Sequence, residues 1–131
     1  MSKIIYIAGP FRGNSHFAIA QNIRRAEETA LRAWSLAIAV PGLGVVCPHT
    51  NTAHFQDALP DDIWLEGDLT IMRACHAVLL TGDWQRSSGT KAEVEEAKRL
   101  GIPVFDDIFK LGDWLGLSYG QVFGCLAERI G

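Results

Sequence analysis

The chain has 131 residues, of which 48% are hydrophobic and 21% charged, with a formal net charge of −3. This length suits a single domain spanning residues 1–131 with a core of its own, and the balance excludes a disordered chain. There is no basic block to serve duplex nucleic acid and no apolar run of membrane-spanning length, and the three scattered cysteines (Cys47, Cys75, Cys125) read as reduced thiols of a cytoplasmic protein.

Lys3 to Ala8 reads as a buried strand, because Ile4, Ile5, Tyr6 and Ile7 are β-branched or aromatic. Gly9-Pro10 stops this apolar run, which is too short for a signal peptide. The turn Gly9-Pro10-Phe11-Arg12-Gly13-Asn14-Ser15 follows, with Ser15 as N-cap of a helix over His16 to Ala39. Phe17, Ala20, Ile23, Ala26, Ala30, Ala33 and Ala37 recur at spacings of three or four, and the alanines suit close packing on a sheet. Val45-Val46-Cys47 is a short strand, followed by a polar loop from Pro48 to His54. Asp61 to Cys75 reads as a helix with Trp64, Leu65, Ile71, Met72 and Cys75 on its apolar face. Asp68 sits in the middle of that face. Ala77 to Leu80 is a third strand. A polar turn, Thr81-Gly82-Asp83-Trp84-Gln85-Arg86-Ser87-Ser88-Gly89-Thr90, leads into a helix reaching about Leu100. Gly101 stops that helix before a fourth strand over Ile102 to Phe105. Asp106 to Gly131 forms one or two helices, with Leu111, Trp114, Leu115, Leu117, Val122, Phe123, Leu126 and Ile130 as apolar positions.

Strands alternating with helices imply the α/β class: a doubly wound parallel sheet of four to five strands with helices on both faces. Ligands of such sheets bind outside the carboxyl ends of the strands. The turns at Gly9–Gly13, Pro48–His54 and Thr81–Thr90 all follow strands, so they should converge on one cleft. Free N–H groups around Ser87, Ser88 and Gly89, together with the helix dipole, can cradle an anion there. Arg12, between glycines, is a second candidate anion contact. Trp84 either stacks on a ligand ring or closes its turn against the core.

Glu93 falls on the apolar stripe formed by Val94, Ala97 and Leu100, whereas Glu95 points away from it and Glu96 lies at its edge. The pattern alone leaves two readings. Glu93 is a first-turn glutamate that serves the helix dipole and leans out to water, or it is an inward carboxylate with a chemical task. Asp68 is the second carboxylate where an apolar residue is expected. Two inward carboxylates suit glycosidic chemistry, in which one attacks an anomeric carbon and the other serves the leaving group. A helix N-terminus should keep Glu93 ionised, and apolar neighbours should leave Asp68 holding a proton. Cys47, His49 and His54 match no standard metal spacing, and His49 and Asn51 read instead as loop residues near the cleft; no metal or cofactor is called for.

The order Tyr6-Ile7-Ala8-Gly9-Pro10-Phe11-Arg12-Gly13, then Gly67-Asp68-Leu69, then Asp83 and Ser87-Ser88-Gly89-Thr90-Lys91-Ala92-Glu93, resembles the nucleoside 2-deoxyribosyltransferase superfamily, in particular its small phage and bacterial members. It is also similar to the deoxynucleoside 5′-monophosphate N-glycosidases, over roughly residues 3 to 105. The resemblance implies a flavodoxin-like (Rossmann-like) sheet, a nucleoside or nucleotide substrate, and cleavage of its N-glycosidic bond with transfer to another base or to water. It implies Glu93 as nucleophile, Asp68 as assisting acid and Tyr6 near the reacting sugar. It implies Gly9, Arg12 and Gly13 as the loop that wraps the substrate. Ser87 and Gly89 then match the turn that holds its 5′ end, with Asp83 and Ser88 as further substrate-binding positions there. Pro10 departs from the hydroxyl residue common in the N-glycosidase loop and removes one backbone donor, and His76 stands where an aspartate often precedes the third strand. A nucleotide-binding module without turnover remains the alternative, because fold does not fix function. The apolar C-terminal helix points to a homo-oligomer face.

Overall fold

The computed structural model describes residues 2–128. Four strands, β1 (Lys3–Ala8), β2 (Leu43–Val46), β3 (Ala77–Leu80) and β4 (Val104–Phe105), form one sheet. All their pairings are parallel, in the order β2-β1-β3-β4. The helices are α1 (His16–Ser35), α2 (Pro48–Asn51), α3 (Asp61–Arg73), α4 (Ser88–Arg99), α5 (Ile108–Trp114) and α6 (Tyr119–Ala127). This is the doubly wound α/β arrangement of flavodoxin-like and Rossmann-like folds. The chain leaves β1 for β2 on one side and returns past β1 to β3 on the other. The switch point therefore lies between β1 and β3, above their carboxyl ends.

Strand alternation divides the core into two layers. Ile5 and Ile7 face α1, α5 and α6, packing with Ala26, Ala30, Ala33, Leu111 and Val122. Tyr6 and Ala8 face the opposite way with Val78 and Leu80, against Met72 of α3 and Val94 and Ala97 of α4. Each fully buried isoleucine contributes about 2 kcal/mol through apolar burial. The same period of two sends the Tyr6 hydroxyl toward α4.

Helix α1 differs from its sequence reading at both ends. It stops at Ser35 rather than Ala39, and Leu36–Ile38 continue as a 3-10 turn that buries Leu36. At its start, Phe17 is 73% exposed and Ala20 is exposed, although both belong to the expected apolar stripe. Length is the reason. Twenty residues of helix span about 30 Å, whereas the six residues of β1 span about 20 Å. The surplus turns overhang the carboxyl end of the sheet and wall the space above it.

Smaller differences are local. Pro48 to Asn51 is a short helix instead of a polar loop. Its proline occupies the first turn, where a missing N–H leaves no bond unmade. β2 begins at Leu43, α3 stops at Arg73 and β4 shrinks to two residues. The expected apolar position Ile130 lies outside the described residues. Among the described residues, no helix is long and apolar enough to cross a membrane.

Candidate active site

A cavity of about 860 Å3 opens above the β1/β3 switch point. The turn after β1 supplies Gly9, Arg12 and Gly13 to its wall, and the turn after β3 supplies Asp83, Ser87, Ser88 and Gly89. Asp68 enters from α3 and Glu93 from α4. The three post-strand turns therefore converge, and Gly9, Arg12, Gly13, Asp68, Asp83, Ser87, Ser88, Gly89 and Glu93 line one space, with Tyr6 outside it.

Tyr6 is 0% exposed and lies behind Glu93 rather than in the wall. Its hydroxyl donates a hydrogen bond to Glu93 Oε2. Strand register makes this contact, since the even positions of β1 face α4. Glu93 itself is 7% exposed, so the reading in which it leans out to water is overturned. The first-turn position is also corrected. Helix α4 begins at Ser88, which makes Glu93 its sixth residue, and its first turn holds no acidic side chain. The helix dipole falls off within that first turn, so burial decides the electrostatics. Burial pushes the Glu93 carboxyl up to about 7, partly offset by the Tyr6 hydrogen bond and reinforced by the nearby charge of Asp68. The Asp68 carboxyl is pushed up to about 6, again by burial. Tyr6 lies far above the ordinary phenol value because of burial and the negative charge of Glu93, so it remains a donor. Both carboxyls are thus raised by burial, where Glu93 was expected to stay at the ionised end.

The loops are held by close contacts. A methyl group on Gly9 would fall 1.9 Å from Thr81 Oγ1, so the turn after β1 lies directly on the end of β3. Gly13 is also confined, with Ala18 Cβ 2.7 Å from where its own Cβ would be. Asp83 has φ 63°, the one positive value for a non-glycine among the described residues, and its carboxylate lies 3.8 Å from Arg25 of α1. Such a conformation costs about 1 kcal/mol or more and is commonest at functional sites. Arg12, expected to meet an anion, is paired with Asp57 at 3.2 Å and with Asp61. Ser87 is the N-cap of α4, its Oγ accepting from Thr90 N–H at 3.1 Å. The N–H groups of Ser88 and Gly89, first in the helix, have no intrahelical acceptor and belong to residues that line the cavity.

Several wall residues were given no role from the sequence, in which His49 was only a loop residue near the cleft. His49 is 6% exposed, and its Nε2 lies 2.9 Å from the carbonyls of both Gly9 and Pro10, fastening the first turn to α2. Burial lowers its pKa, so the ring stays neutral near pH 7. Arg25, an exposed residue of α1, also lines the cavity, where it meets Asp83. Trp64 also lines the cavity, whereas Trp84 does not and packs against the core beside α4. Thr90 could have been found, because it precedes Glu93 by three residues on the same helix face. No cluster of three or more histidines, cysteines and carboxylates suited to a metal occurs among the described residues.

Comparison with known proteins gives a family match and a likeness among solved structures. The model of the DUF7768 family, described as a domain of unknown function, matches residues 3–106. Among solved structures, the 2-deoxyribosyltransferase of the psychrotolerant bacterium Bacillus psychrosaccharolyticus superposes with a TM-score of 0.59 at 17% sequence identity. The superposition covers 91% of this chain and 95% of that one. That enzyme is described as a biocatalyst for the synthesis of antiviral and antitumoral nucleosides. At this identity the likeness establishes the fold. No curated protein matches the sequence.

Proposed function

We propose a function for a chain that belongs to the DUF7768 family of domains of unknown function: cleavage of the N-glycosidic bond of a nucleoside or its 5′-monophosphate. The observation that carries this reading is the buried Glu93 carboxylate, held by the Tyr6 hydroxyl and facing the same cavity as Asp68. An ionised Glu93 oxygen attacks the anomeric carbon from one face. The carbon–nitrogen bond breaks, its electron pair goes to the base, and the Asp68 proton goes to a nitrogen of that base. The sugar is then an ester of Glu93. A second base, or water, attacks the same carbon and releases the carboxylate, giving transfer or hydrolysis respectively. Burial that raises both pKa values also strengthens the attraction between Glu93 and the positively charged sugar of the transition state.

Tyr6 acts in this scheme as a positioning residue, because it touches Glu93 and not the cavity. The amides of Ser88 and Gly89, with Arg86 beside them, receive the 5′ end of the substrate. The turn from Gly9 to Gly13 covers the sugar. The reading extends to a small-molecule partner with no nucleic acid polymer, and to a homo-oligomer whose contact face includes the exposed Tyr119 and Phe123 of α6.

The test is base release from a panel of nucleosides and 5′-monophosphates, with and without an added second base, followed by chromatography. Release by the wild type that is lost in Glu93→Gln, together with a sugar adduct on Glu93 in the mass spectrum, is the expected result. Binding without release by both proteins refutes it in favour of a nucleotide-binding module.

A further inference from the structure

Buried polar atoms in a folded protein are almost always hydrogen-bonded, and the exceptions call for an explanation. Among the described residues, two buried side-chain atoms have no hydrogen-bond partner: His49 Nδ1 and Thr90 Oγ1. Both residues line the cavity that holds Glu93. Thr90 is 1% exposed, and its hydroxyl is not used to cap its own helix, because that bond runs from its backbone N–H to Ser87 Oγ at 3.1 Å. A valine would fill the same volume with no polar atom to satisfy. The hydroxyl therefore weakens the empty protein, and something other than folding has to account for it.

Its place along α4 indicates what that is. Thr90 lies one turn before Glu93 on the same face, about 5–6 Å away between Cβ atoms. On its other side are the free amides of Ser88 and Gly89 at the start of the helix. Resting on the reading above, a furanose with its anomeric carbon at Glu93 and its 5′ end at those amides spans this interval and lays its ring over Thr90. The edge of that ring away from the ring oxygen carries the 3′-hydroxyl. We infer that Thr90 binds the 3′-hydroxyl of the substrate sugar through its buried, unpartnered Oγ1. A threonine hydroxyl both donates and accepts, as the sugar hydroxyl does, so the pair satisfies both groups at once. Thr90 thus tests the sugar, while the rest of the cavity is left to the base.

The experiment deletes one hydroxyl at a time from protein and ligand. Thr90→Val is made in a Glu93→Gln background, which holds substrate without cleaving it. Affinity for the 2′-deoxynucleosides of the four DNA bases, and for their 2′,3′-dideoxy counterparts, is measured by calorimetry in both proteins. With Thr90 present, loss of the 3′-hydroxyl should weaken binding about ten-fold, the worth of one good hydrogen bond. With valine present, the two sugars should bind alike, and both about as weakly as the dideoxy sugar binds to Thr90. Without ligand, Thr90→Val should melt about 3 °C or more above its parent. Equal affinity for the two sugars in the protein that keeps Thr90 overturns the assignment, as does a ten-fold preference that survives the valine. A lowered melting temperature also overturns it, since the hydroxyl would then have a structural partner. The first comparison needs no variant at Thr90, so it stands even if the valine protein misfolds. Failure of the wild type to release any base sinks the glycosidase reading and this assignment with it. Release combined with indifference to the 3′-hydroxyl sinks this assignment alone.

Discussion

Glu93→Gln should stabilise the protein as it abolishes turnover, and the gain should grow with pH. The folded Glu93 carboxyl is raised from 4.5 to about 7 by burial. Its proton is therefore held more tightly in the folded state than in the unfolded one. The resulting stability is whole below the unfolded value near 4.5 and is lost as pH rises through the folded value near 7. A rise of about two and a half units, at about 1.4 kcal/mol per unit, corresponds to about 3 kcal/mol by pH 8. Glutamine keeps the shape and can still accept from Tyr6, but it never has to ionise. The difference in unfolding free energy between variant and wild type should thus climb from near zero at pH 4 to about 3 kcal/mol at pH 8, or about 10 °C in Tm. Urea titrations at pH 4, 6 and 8 measure it. Comparing the two proteins removes His49, which works in the opposite direction. Burial lowers the His49 pKa, so its contribution is present above about 6.5 and fades as pH falls. A variant no more stable than wild type at pH 8 would falsify the claim that burial governs the Glu93 carboxyl.

Two further outcomes follow from the same geometry. Tyr6→Phe removes the donor that offsets burial at Glu93; because Glu93 has the higher of the two carboxyl values, the alkaline limb of the rate profile should move up by about one pH unit and kcat should fall about ten-fold near neutrality. KM should stay within about two-fold, because Tyr6 does not line the cavity; an unmoved limb would refute the assigned role. In the proposed mechanism the working form pairs ionised Glu93 with protonated Asp68; with values near 7 and near 6 it is the minority arrangement of the proton the two carboxyls share. The profile of kcat/KM should then be a narrow bell with its maximum at about pH 6.5, and Asp68→Asn should lose the alkaline limb and about a hundred-fold in rate. Activity that is flat between pH 6 and pH 8 contradicts this pairing.

The fold was readable because its signals are periodic and local. β1 and β3 are short apolar runs closed by turn residues. α4 ends at a glycine with φ 75°, and Ser15 caps α1 through Ala18 N–H at 3.1 Å. Boundaries were less readable where lengths compete. A sequence does not state that a helix outruns the strand it packs on, and so Phe17 looked like core. The exposed Arg25 also lines the cavity wall, which its solvated position does not reveal.

In the site, the two misplaced carboxylates were visible because each interrupts an apolar stripe. Their ionisation was misjudged for a reason that a sequence rarely reveals. One or two residues in the start of α4 decide whether Glu93 feels the helix dipole, whereas burial depends on how α3 and β1 close over it. Thr90 was overlooked because a threonine in a helix is unremarkable until its surroundings leave its hydroxyl unmatched. The three residues share a physical condition: Glu93, Asp68 and Thr90 each hold polar atoms where folding alone would favour carbon. Glu93 and Asp68 show this condition as raised pKa values, and Thr90 as a missing partner. A ligand that brings partial positive charge, a proton acceptor and a hydroxyl to one space relieves all three. The empty site is therefore the strained state, and the protein should gain more stability from its true ligand than the area buried would account for.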